Sequence, residues 1–168
     1  DLLFVVVDAT VALVYGTAGK DPSFTRQAHL LVRDEFASAE PEAVQKVVDV
    51  FVRAADWASN EANRDELFAL WARGGTPAAS YAAEFKDQSL ATRNSPLIDD
   101  FVRARYRAVV KDALAQKLIR REGSTDDWFD TSFLDASLKK QSLTQRWAAS
   151  DATGRPANAQ ALAPTHSR

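Results

Sequence analysis

The hydrophobic period of this chain changes near residue 33, and that change sets what it can fold into. Upstream, "LLFVVV" at 2–7, "VALVY" at 11–15 and "AHLLV" at 28–32 are short runs of Val, Leu and aromatics, the pattern of strands buried on both faces. Gly16, Gly19 and the Asp21-Pro22 pair mark the loop before the third run. Downstream, Val44, Val47, Val48, Phe51, Val52, Ala55 and Ala58 recur at helical spacing behind Pro41, which predicts an amphipathic helix over 40–59. The strands at 11–15 and 28–32 are expected in one sheet. Phe51 is expected in the core, where truncation to alanine would cost about 3–5 kcal/mol.

Three further helices follow from the same periodicity. Leu67, Phe68, Leu70 and Trp71 predict one over 63–73, closed by Gly74-Gly75, where glycine takes the left-handed cap. "TPAASYAAEF" predicts another, with Thr76 as cap and Pro77 at the first position. Ile98, Phe101, Val102, Tyr106, Val109, Val110, Leu114 and Leu118 predict a long helix from Ser95-Pro96 toward Gly123. Asp99 and Asp100 in its first turn and Arg120 and Arg121 in its last suit the helix dipole. In "WFDTSFLDASL", at 128–138, Asp130 or Ser132 can cap a short helix, while Phe129 and Leu134 are spaced as a hydrophobic staple. From Ala148 the chain turns to Ala, Ser, Thr, Pro and Asn, so 148–168 is expected to be a flexible tail after a domain over 1–147.

Composition excludes several function classes. A formal charge of −2 lacks the basic excess of a surface that tracks phosphates, so a nucleic-acid partner is not expected. With no cysteine there is no disulfide, thiolate nucleophile or cysteine metal site. Of the two histidines, His29 falls inside an expected strand and His166 in the polar tail, so no metal pair or triad is suggested, and a lone His29 in an apolar run reads as structural. Asp99-Asp100 and Asp126-Asp127 could supply an acid and a base, but helix starts explain them as caps. No catalytic residue, metal or cofactor is expected. Asp8 interrupts the first apolar run, which is too short to span a membrane.

Two polar sets stay open between solvation and binding. Arg103, Arg107 and Lys111 form an i, i+4 stripe that could meet phosphate, although Asp99 lies four residues before Arg103 and offers an ordinary helix pair. Trp57, Trp71, Trp128 and Trp147 could be stacking platforms, yet their places beside apolar stripes favour packing.

Taken in order, "HLLVRDEFASAEPEAVQKVVDVFVRAADWASN", "SPLIDDFVRARYRAVVKDALAQKLIRRE" and "WFDTSFLDASLKKQSL" resemble the C-terminal half of the substrate-binding proteins of nitrate, sulfonate and taurine type ABC importers. The resemblance covers about residues 11–147. It implies an α/β fold of the type II periplasmic-binding-protein kind, here a helix-rich C-terminal portion with a few strands. It implies a monomer that captures a small organic or inorganic anion and passes it to a membrane permease, located in the periplasm or as a cell-surface lipoprotein. A chain of 168 residues would then be a fragment about half the length of such a protein, expected to hold an anion only weakly by itself. Thr25, Arg26 and Gln27, just before the 28–32 run, are the candidate ligand-binding residues; a solvated loop is the competing reading. A ligand-sensing or helical interaction domain of the same scaffold is the alternative function.

Overall fold

The computed structural model describes residues 29–157, and these divide into two compact units: 29–31 with Ala55–Asn94, and Val32–Ala54 with 95–157. The expected strands at 2–7 and 11–15 lie outside the described residues. The expected strand at 28–32 is not formed by residues 29–32, which carry no regular structure and leave Leu30, Leu31 and Val32 exposed. A strand needs a ladder partner, and among the described residues the β pairing is limited to an isolated bridge between Ser150 and Pro156. The described residues are therefore helical rather than α/β in content.

Seven α-helices carry the described residues: α1 Asp34–Ala39, α2 Pro41–Ala58, α3 Arg64–Ala72, α4 Ala78–Glu84, α5 Leu90–Arg93, α6 Asp100–Ala115 and α7 Ser132–Lys140. The periodicity that predicts α2 and α3 places them within one residue of their ends. The choice of buried face was less legible. Val44, Asp49 and Val52 are buried on α2, whereas Val47, Val50 and Phe51 stand on an exposed second stripe. Phe51 is 58% exposed, so it is not core. Its replacement by alanine is now expected to cost about 1 kcal/mol or less, since only part of the ring leaves water on folding. A urea midpoint lowered as far as that of a core phenylalanine would contradict this.

The expected long helix is shorter than its apolar stripe. Asp99 has extended backbone angles and its Oδ1 accepts from the Val102 N–H at 3.1 Å, so α6 starts there rather than at Pro96. At the other end Lys117 adopts φ 59°, and the Leu118 N–H donates to the Ala113 carbonyl at 2.8 Å. This six-to-one closure stops the helix without a glycine and leaves Leu118 exposed. The end of α7 repeats it, with Ser142 at φ 60° and Leu143 N–H on the Leu138 carbonyl at 2.8 Å. Gly75, at φ 100°, takes the left-handed position after α3 as expected. Thr76 does not cap α4: Pro77 occupies the cap position and no side chain bonds the helix start.

In the first unit the core is aromatic. Leu67, Phe68, Phe85 and Leu90 are buried, and Trp57, Ala58, Trp71 and Tyr81 pack against them. Two arginines pin the loop that carries Phe85 and Gln88 over this core. Arg64 donates to the Phe85 carbonyl at 3.1 Å and the Gln88 carbonyl at 3.0 Å. Arg93 pairs with Glu84 at 2.8 Å and lies over the Phe85 ring, 4.6 Å from its centroid.

In the second unit α2 and α7 are clamped through Asp49. Its carboxylate accepts from Lys140 Nζ at 2.7 Å and Gln45 Nε2 at 3.0 Å, and its backbone carbonyl accepts from Gln141 Nε2 at 3.2 Å. Residues 148–157, the start of the expected tail, form a closed loop. Asp151 accepts there from the Thr153 N–H at 2.8 Å and the Arg155 N–H at 3.1 Å. The Ser150 N–H donates to Asp99 Oδ2 at 2.7 Å, which ties this loop to the start of α6.

Candidate functional site

Thr25, Arg26 and Gln27 lie outside the described residues. His29 is partly buried, and burial pushes its imidazole below the ordinary histidine range. A neutral ring at pH 7 suits the structural role expected of it.

The one deeply buried carboxylate among the described residues, Asp49, is chemically quiet. Hydrogen bonds from Lys140, Ser137 and Gln45 pull its pKa from 3.8 down to about 2, so it stays anionic throughout the neutral range. A general acid or base must exchange its proton near the working pH, and Asp49 does not. Glu61 is similar: the Leu90 N–H at 2.8 Å and then Arg64 hold its carboxyl below the usual range. Of the acids at helix starts, Asp99 caps α6 as the sequence implies, whereas Asp126 and Asp127 lie in the first turn of the short 3-10 helix Asp126–Trp128, where Thr125 holds the cap position and no side chain bonds the helix start. Among the described residues no group of His, Asp and Glu could hold a metal ion, and no helix is long and apolar enough to cross a membrane.

The exposed face of α6 differs from its expected form. Asp99 is committed to Val102 and Ser150, so the predicted Asp99–Arg103 pair does not form. The Arg103 guanidinium instead lies over the Phe129 ring, 5.3 Å from its centroid. Arg107 reaches Asp126 at 3.4 Å, with both side chains largely in water. Tyr106 stands edge-on to Phe129 at 5.1 Å and to Trp128 at 6.0 Å. Three of the four tryptophans pack inward as expected; Trp128 is the exception, 57% exposed. Beside it, Arg107, Val110, Thr125 and Asp126 line an open cleft of 150 Å³. With Glu122 and Asp126 on its wall and Arg107 already paired, this cleft is a poor trap for a small anion.

These helices, in this order, share their fold with a solved periplasmic binding protein. The likeness is to a solved structure assigned as the periplasmic sulfonate-binding protein SsuA of a sulfonate ABC transporter from Methylobacillus flagellatus. The TM-score is 0.74 at 20% sequence identity, covering 88% of this chain and 54% of that one, so the chain spans about half of its neighbour's length. At that identity the match speaks for the fold alone. No family model and no curated protein matches the chain.

Proposed function

We propose that the chain is the solute-binding component of an ABC importer, capturing a small anion such as a sulfonate, taurine or nitrate and handing it to the membrane permease. The observation that carries this is the fold likeness to a sulfonate-binding protein over 88% of the chain. Such a protein works in the periplasm or anchored at the cell surface, and it closes two lobes over its ligand.

In this reading Thr25, Arg26 and Gln27 line the cleft. A hydroxyl, a guanidinium and an amide are donors suited to the oxygens of a sulfonate or nitrate, and arginine can engage two of them at once. Closure replaces the anion's water by these fixed donors, which is where affinity arises. The rival reading, a ligand-sensing or helical interaction domain of the same scaffold, draws on the helical content of the described residues; what supports the importer is that the neighbour sharing the fold is a sulfonate-binding protein of a transporter.

The test is uptake. Cells lacking the protein are expected to lose accumulation of radiolabelled taurine, an alkanesulfonate or nitrate, and the wild-type gene should restore it. Arg26→Ala should restore less than about a tenth of it, since a charge-assisted bond to an anion contributes about 1.5–3 kcal/mol. Unchanged uptake of all three solutes in the deletion strain would overturn the proposal.

A further inference from the structure

We propose that the surface formed by Arg103, Tyr106, Arg107, Trp128 and Phe129 docks an acidic protein segment, and that this segment belongs to the permease; the second half of the statement rests on the importer reading. An exposed tryptophan ordinarily costs solubility, yet this one is held in place. Its ring meets Tyr106 edge-on at 77°, and Tyr106 meets Phe129 edge-on at 76°, so a 3-10 turn and a helix fix the cluster jointly. A side chain already immobilised loses little entropy when a partner covers it. Tryptophan, tyrosine and arginine are also the residues that concentrate binding energy at protein interfaces.

Charge selects the occupant. Arg103, Arg107 and Lys111 run along α6 at four-residue intervals, and among the described residues no carboxylate lies within ion-pair distance of Arg103 or Lys111. Arg107 has only the long, hydrated pair with Asp126, which exchanges at little cost. A partner segment with carboxylates along α6 and an apolar side chain on Trp128 would match the surface. A nucleic-acid backbone fits poorly, because a chain with a formal net charge of −2 lacks the basic excess that holds a long track of phosphates. The neighbouring 150 Å³ cleft has room for one short side chain of the same segment.

The experiment separates docking from solute capture. Trp128→Ala and the double variant Arg103→Glu/Arg107→Glu are compared with wild type for uptake of radiolabelled taurine and nitrate, for calorimetric affinity toward the same solutes, and for the thermal midpoint. Docking predicts uptake reduced at least tenfold in both variants, with solute affinity within twofold and the midpoint within a few degrees. Retained uptake with retained affinity overturns the docking surface and leaves the importer reading standing. Loss of solute affinity in either variant overturns it as well, by showing that the cluster serves the cleft. A wild type that neither binds nor imports any of these solutes removes the importer reading and, with it, the permease as occupant. Flotation with vesicles of phosphatidylglycerol, if lost in the double variant, would assign the surface to lipid and overturn the proposal.

Discussion

Phe68→Ala is expected to lower stability by about 3–5 kcal/mol, the usual cost of deleting a fully buried aromatic. Phe68 is 3% exposed and sits at the centre of its cluster. Its ring lies 5.8 Å from Trp71, 6.2 Å from Tyr81 and 5.5 Å from Phe85, all tilted, so three neighbours lose a packing partner together. Arg64 covers the remaining face at 5.6 Å and is itself tethered to the Phe85 and Gln88 carbonyls, which prevents the loop from collapsing into the space left behind. Unrelieved cavities cost most. Phe68→Leu keeps most of the volume and should cost less than half as much. Urea unfolding followed by tryptophan fluorescence reads this directly, because Trp57 and Trp71 belong to the same cluster. A midpoint for Phe68→Ala no lower than that for Phe51→Ala would refute the placement of the core.

The contrast between these two phenylalanines marks what the sequence could and could not convey. Both lie on helices that periodicity locates well, and both sit in apolar stripes. Helix α2 carries two such stripes, one through Val44, Val48 and Val52 and another through Val47, Val50 and Phe51; a 3.6-residue period cannot say which of them is buried. Helix ends were legible where a glycine takes the left-handed position, as at Gly75, and illegible where a cap falls inside the expected span, as at Asp99, or where lysine or serine adopts the left-handed conformation, as at Lys117 and Ser142. The aromatic and cationic face of α6 was hidden for another reason. Asp99 is drawn away from Arg103 by the Ser150 N–H, 51 residues further on, and no local pattern encodes that. Of the candidate ligand residues, sequence could supply only donor chemistry and a position before an apolar run.

The Asp49 clamp should reveal itself as a stability difference that acid erases. Its folded pKa of about 2 lies below the ordinary 3.8, so the carboxylate contributes stability that is fully present above about pH 4 and is lost as pH falls through 2. Asp49→Asn keeps the shape and an acceptor for Gln45 but removes the charge that holds Lys140 at 2.7 Å. It also disturbs a relay: Ser137, fully buried, accepts from Gln141 at 2.7 Å while its hydroxyl serves Asp49. At pH 7 the variant is therefore expected to unfold at clearly lower urea concentration than wild type, and the two curves should converge toward pH 2. Some acid slope should remain in the variant, because Glu61, Asp130 and Asp151 also have lowered pKa values. Lys140→Ala should cost less than Asp49→Asn, since the lysine side chain is 68% exposed and its loss leaves Ser137 and Gln45 still bonded to the carboxylate. Parallel midpoints for wild type and Asp49→Asn from pH 7 down to pH 2 would mean that the carboxylate's partners gain nothing from its charge, and the clamp between α2 and α7 would then have to rest on apolar packing around Leu138.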